Sequence, residues 1–314
     1  MQKNTALVTL PAIGDQVPFD FDIFSLCKPY LAEKDRCIVD QTTQYLIGLI
    51  RKSGSRSIRL LDAGSGDGTV IQNICRRLLT SNSNSTQLFA LEVDCIEPSH
   101  DGLENTKRLL AQLNDSRISV NAQVVTVEDY INNSSALKYD AIICCHLLYH
   151  IPIPQWPSLL ARLKSMISST GILIVNLVSS KSDIYRLKVR LEQESAFKNL
   201  YKDYDRFGFE YFAEDFESVI KKESQAWDRS TLSANIRFTS AELAEAHECL
   251  RQSETGSALL RFLAFIYRIT ENDLLQASDE LLANLPPSNA AGLVFKMQDT
   301  MFVWPKHNLN HEIA

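Results

Sequence analysis

Residues 57–68 read Ser-Ile-Arg-Leu-Leu-Asp-Ala-Gly-Ser-Gly-Asp-Gly, and this stretch decides the fold. Ser57 to Asp62 is a short apolar run of the kind that forms a buried strand. Gly64, Gly66 and Gly68 follow at once. From Thr69 to Leu79 the residues Val70, Ile74 and Leu78 fall on one helical face. A strand that turns through glycines into a helix opens an α/β unit. Glycines in such a turn let the backbone approach a ligand closely, because no Cβ intervenes. The helix N-terminus that follows favours anionic groups.

Upstream, Ile38, Tyr45, Leu46, Leu49 and Ile50 predict a helix over 37–51, while residues 1–36 read as irregular. Downstream, strands are expected at 87–96, 120–127, 140–145 and 172–178. Between them lie helices over 103–113 and 156–167, the second capped by Gly171. Alternation at this spacing predicts an α/β fold: a Rossmann-like seven-stranded, mostly parallel sheet with helices on both faces and a helical insertion. After Ser180 the alternation stops. Residues 181–233 read as charged and largely helical, Ala234–Thr239 as a late strand, 259–285 as helical and Leu293–Trp304 as a closing strand or hairpin. One domain over 1–314 is expected. It has a helical cap at 1–56, a cofactor-binding core at 57–180, a substrate-shaping insertion at 181–290 and a closing strand at 291–306.

The net charge of -6, from 32 basic and 38 acidic residues, comes with no basic block. A small-molecule partner fits that balance and a nucleic acid does not. Neither a leader pattern nor an apolar run of membrane-spanning length is present, so the expected location is cytoplasmic, without membrane attachment. The seven cysteines are scattered and lack a CxxC pair, which reads as reduced thiols. No clustered ligand set points to a metal.

The glycine run alone serves several ligands. The dinucleotide fingerprint is G-x-G-x-x-G/A, and here Thr69 stands where the last small residue belongs. At the end of the second strand a carboxylate can accept from both hydroxyls of a ribose. Glu92, Asp94 and Glu97 compete for that place, and Glu97, just before Pro98 and Ser99, is the choice; capping the next helix is its alternative role. Glu128 and Asp129, at the end of the third strand, are equally readable as adenine contacts or as solvated acids. The fourth strand ends in Cys144-Cys145-His146-Leu147-Leu148-Tyr149-His150, and the carboxyl ends of open α/β sheets face the ligand. His146 therefore lines the reacting end of the cleft or packs beneath it. His150 is a weaker candidate.

Asp62 followed by Gly64, Ser65, Gly66 and Gly68 resembles motif I of class I S-adenosylmethionine-dependent methyltransferases. The run Glu97-Pro98-Ser99, the Leu148-Tyr149 pair and Phe302-Val303 resemble the histamine N-methyltransferase-like branch, over about residues 19–305. The resemblance implies S-adenosyl-L-methionine as cofactor, held by Asp62, Gly64, Ser65, Gly66, Gly68, Glu97, Pro98, Ser99, Glu128, Asp129, Cys145 and His146. It also implies an N-terminal segment folded over the cofactor, with Glu33 holding an amine substrate. Phe19, Phe21, Phe24, Tyr149, His150 and Gln298 would complete the pocket. His146 stands where the family has a glutamine, and Gly102 where it has a second polar contact to the cofactor.

The leading expectation is thus methyl transfer to an amine nitrogen of a small molecule, with His146 and Glu33 as the working pair. Transfer to oxygen or carbon is the alternative, with His146 as general base suiting a hydroxyl. A macromolecular acceptor and a non-enzymatic cofactor-binding role rank lower.

Overall fold

The computed structural model describes residues 21–54, 57–81, 90–133, 137–194, 197–198, 200, 211–239, 263, 273, 281 and 293–305. The glycine turn joins β1 (Ser57–Ala63) to α2 (Thr69–Ser81), as its sequence requires. The alternation continues through β2 (Ala90–Glu97), α3 (His100–Ala111), β3 (Ile118–Val124), α4 (Val127–Asn133), β4 (Tyr139–Cys145), α5 (Trp156–Ser165) and β5 (Ile167–Val178). Two helices follow, α6 (Asp183–Leu191) and α7 (Ala213–Ile220), and then β6 (Asp228–Phe238) and β7 (Leu293–Trp304). All seven strands form one sheet in the order β3-β2-β1-β4-β5-β7-β6. The first five run parallel, and β7 lies antiparallel between β5 and β6. This is the Rossmann-like, mostly parallel sheet expected from the alternation.

Four expectations need correction. The first helix, α1 (Phe21–Ser53), starts sixteen residues before Cys37 and runs through Pro29. β3 ends at Val124, so Glu128 and Asp129 sit in the first turn of α4 rather than at a strand end. Gly171 does not cap α5. It lies in β5, where the pairing with β4 slips from Tyr139↔Ile167 to Ala141↔Ile172. A Cβ there would stand 2.7 Å from the Asp140 carbonyl, so the bulge admits only glycine. Finally, β6 begins at Asp228, inside a segment read as helical. The helix expected over 259–285 lies almost wholly outside the described residues.

Two apolar layers sandwich the sheet. On one face α1, α2 and α3 cover Leu60, Cys95, Ile143, Ile174 and Met301. On the other, α4 to α7 cover Leu61, Ile142, Leu173 and Phe302, with Trp156 and Phe216 fully buried. Strand side chains repeat on one face every second residue. Two residues nearer the carboxyl ends of the parallel strands, the first face therefore carries Glu97, Asp62, Cys145, Asn176 and Asp299. The apolar rows turn polar along that one edge of the sheet.

Candidate active site

Four N–H groups of the glycine turn, those of Gly64, Ser65, Gly66 and Gly68, are already engaged. Gly64 and Ser65 both donate to the Ile96 carbonyl, at 2.9 and 3.1 Å, and Gly68 donates to the Ser65 carbonyl at 2.9 Å. Gly66 donates to Glu97 Oε2 at 2.9 Å, and the Thr69 N–H at the start of α2 is taken by Asp67 Oδ1 at 3.0 Å. Most donors of the turn itself are thus spent inside the protein. Three acids, Asp62, Asp67 and Glu97, crowd the same turn and would repel an anion. Burial pushes the Asp62 carboxyl up to about 7, and the Glu97 and Asp67 charges add to the shift; a hydrogen bond with Ser65 opposes it. An unphosphorylated ligand carrying positive charge suits this turn.

Gly64, Gly66 and Gly68 adopt φ of +77°, +55° and +75°, the left-handed region that glycine occupies without strain. A Cβ on Gly68 would meet Thr106 Cα at 2.5 Å, whereas one on Gly66 would meet nothing within 4 Å. Gly68 is fixed by packing against α3, while Gly66 faces open space that a ligand can fill.

Glu97 links two elements. Its Oε2 accepts from Gly66 and its Oε1 from the Ser99 N–H at 3.0 Å, which leaves further acceptor sites on both oxygens. Pro98 is exposed, and the Ser99 hydroxyl caps α3 by accepting from Gly102 at 3.2 Å. Gly102 is small because α3 presses on the turn: a Cβ there would stand 2.8 Å from the Gly66 carbonyl. At the start of α4, Asp129 exchanges hydrogen bonds with Thr126 as a cap, and Glu128 is half-buried.

α1 closes over this turn. Lys28 reaches Asp67 Oδ2 at 3.0 Å and Asp35 at 2.8 Å, so the N-terminal half of the helix is tied to the glycine loop by charge. Phe21 and Phe24 lie on the first turns of α1, with side chains outside the described residues, and Phe19 lies outside them altogether. Glu33 sits against β6, where its Oε1 accepts from Asn235 at 3.4 Å.

A polar cluster gathers where β4 and β5 end, beside Asp299 in the middle of β7. His146 has φ of +56°, a conformation uncommon for a residue with a Cβ and concentrated at functional sites. Its Nε2 stands 3.2 Å from Asp299 Oδ2, and its Nδ1 bonds the Tyr149 hydroxyl. Asn176 donates to the same Asp299 oxygen at 2.8 Å. Lys34 of α1 is buried above the group. Burial opposes the charge on Asp299, but Lys34 and His146 hold its carboxyl down at about 2. Burial, helped by Lys34, lowers the His146 imidazole below its usual range, so the ring is neutral at pH 7. Cys145 lies beside the cluster as a free thiol whose pKa burial raises. His150 is exposed, and Gln298 joins the loop before α6 through its backbone.

Asp299, Asn176 and Lys34 were not among the sequence candidates. Asn176 and Asp299 carried a signal, since each is a polar residue in the middle of an apolar strand. Lys34 carried none.

A methyltransferase-domain family model matches residues 32–220, more than half of the chain. The chain belongs to the S-adenosylmethionine-dependent methyltransferase family. Among curated proteins, this methyltransferase is 24% identical over 161 residues to a ubiquinone biosynthesis O-methyltransferase of Histophilus somni, covering 49% of this chain and 60% of that one. It is 24% identical over 134 residues to the protein of the same name from Actinobacillus pleuropneumoniae, covering 42% and 50%. The chain thus matches about half to three-fifths of those relatives' length. Among solved structures, the magnesium protoporphyrin IX methyltransferase of Synechocystis PCC 6803, with bound S-adenosylhomocysteine, is 14% identical with a TM-score of 0.44, covering 72% of this chain and 85% of that one. The plantazolicin methyltransferase, in complex with a desmethyl analogue and S-adenosylhomocysteine, is 14% identical with a TM-score of 0.46, covering 91% and 90%. None of these relatives carries the histamine name.

Proposed function

We propose that this chain moves the methyl group of S-adenosylmethionine onto an amine nitrogen of a small molecule. The observation that carries the cofactor reading is the glycine turn, with most of its N–H groups engaged internally and acids around it. Asp62 and Asp67 would face the cofactor's positive end, Glu97 its ribose hydroxyls, and Glu128 with Asp129 its base. The backbone at Gly64, Ser65 and Gly66, with Pro98 and Ser99 beside Glu97, would shape the floor. The cofactor supplies an activated methyl group, so the protein's task is to present the acceptor in line and keep water out.

The acceptor end is the cluster at the strand termini. Asp299 is an ionised, buried carboxylate behind a neutral His146, with Cys145, Tyr149 and Glu33 nearby. This arrangement holds an N–H donor and balances the positive charge that develops on a methylated nitrogen. A second reading, transfer to a hydroxyl, is favoured by the name of the two curated relatives. His146 backed by a carboxylate also suits proton removal from oxygen.

Methyl-labelled S-adenosylmethionine incubated with matched panels of small amines and phenols separates the two readings. Labelled amine products are expected. Products only from the phenols would replace the amine reading with the hydroxyl one, and no transfer to either panel would overturn both.

A further inference from the structure

The polar cluster behind His146 fixes more than the ring's position. The Val178 N–H donates to the Tyr149 hydroxyl oxygen at 2.7 Å, and the same hydroxyl bonds His146 Nδ1. His146 Nε2 faces Asp299 Oδ2 at 3.2 Å; an ionised carboxylate only accepts, so the neutral ring carries its hydrogen on Nε2 and Nδ1 accepts from Tyr149. Asn176 pins that same carboxylate oxygen, and the backbone N–H of His146 donates to the Asn176 carbonyl at 3.0 Å. The other oxygen, Asp299 Oδ1, is buried with no hydrogen-bond partner among the described residues, so the carboxylate is held in reserve as charge rather than consumed by the core. His146 is partly exposed while Asp299 is fully buried behind it. That order, exposed ring then buried acid, places Asp299 where it acts on the reaction only through the ring.

From this geometry we infer that Asp299 and Tyr149 are positioning residues. They lock His146 as the Nε2–H tautomer and hold the partly exposed ring in one orientation at the acceptor end of the site. The inference rests on the methyl-transfer reading but is separable from it. Binding of S-adenosylhomocysteine and transfer by the unaltered chain test that reading, and the variants test this one.

The groups facing the ring are Asp299 from β7, Asn176 from β5, Tyr149 from its own loop, and Lys34 and Asp35 from α1. Replacing Asp299 with Asn removes one carboxylate from this set and leaves the others. For Asp299→Asn we expect kcat to fall about tenfold or more, as for other residues that orient a working histidine. KM should change less than about threefold, the split expected when transition-state contacts alone are lost. The acid limb of the pH–rate profile should move to lower pH, because the anion that favours imidazolium is gone. Affinity for S-adenosylhomocysteine should stay unchanged. Nitrogen-15 spectra of the unaltered protein should show His146 protonated at Nε2. Should Asp299→Asn fail to fold, Tyr149→Phe carries the test: kcat falls with little change in KM, and the tautomer is no longer fixed. An Nδ1–H tautomer in the unaltered protein would overturn the inference. So would a pH–rate profile left in place by Asp299→Asn, or full kcat in Tyr149→Phe.

Discussion

Gly66 and Gly68 stand two residues apart and do different work. Both hold positive φ, which costs a residue with a Cβ about 1–2 kcal/mol. Gly68→Ala adds a collision with the Thr106 backbone at 2.5 Å, so unfolding studies should show a further loss of about 1–3 kcal/mol from overpacking. Gly66→Val meets open space in the unliganded protein, so its folding loss should be the smaller of the two. Its affinity for S-adenosylmethionine should nonetheless collapse in a calorimetric titration, since the side chain projects where the cofactor is placed. Asp62 makes the same distinction through pH. Its folded pKa, about 7, lies above its unfolded value, so the unliganded protein binds more protons than the unfolded chain between about pH 4 and 7. Stability tied to this group is therefore present at low pH and lost as pH rises through 7. Asp62→Asn should stabilise the unliganded protein above pH 7, by about 2–4 kcal/mol in chemical denaturation, while weakening cofactor binding. A positively charged ligand favours the ionised form, so titrations near pH 6.5 in buffers of different ionisation enthalpy should reveal proton release on binding.

At the scale of elements, the parallel core was legible because its central strands β1, β4 and β5 are largely buried on both faces and its helices carry clean apolar stripes. α1 was half-legible. Its second half carries the apolar stripe, whereas its first half contains Pro29, a residue that costs a helix interior about 3 kcal/mol. The first half of β6 was hidden for a different reason. Residues Asp228–Ser233 alternate between half-buried and exposed on an edge strand, so no apolar period marks them. Gly171 misled because a glycine after a helix and a glycine in a bulge look alike in sequence. The tie between α1 and the glycine turn is a charge pair that no local pattern discloses. Lys28 is about one-fifth exposed and holds both Asp35 and Asp67. Lys28→Met leaves those two acids uncompensated, and denaturant unfolding should register a loss of about 1–3 kcal/mol, less than for a fully buried pair. A variant as stable as the parent would show that α1 is held by its apolar face alone.

For the molecule as a whole, the residues of the proposed cofactor half stand out because they lie in one contiguous turn and one strand end. Those of the proposed acceptor half do not, because His146, Asn176, Asp299 and Lys34 come from three strands and a helix far apart in the chain. Only the sheet order, with β7 inserted beside β5, brings Asp299 to His146. His146 itself was legible from its place after β4, but its left-handed backbone and its two ring partners were not. The account stands on one claim: the acidic glycine turn and Glu97 hold S-adenosylmethionine. Calorimetric titration of S-adenosylhomocysteine into the unaltered chain and Glu97→Gln tests it most directly. The account predicts one site in the unaltered chain and an affinity about tenfold or more weaker in the variant, as for loss of a charged hydrogen-bond partner. Absence of binding to the unaltered chain, or equal affinity in Glu97→Gln, would contradict it.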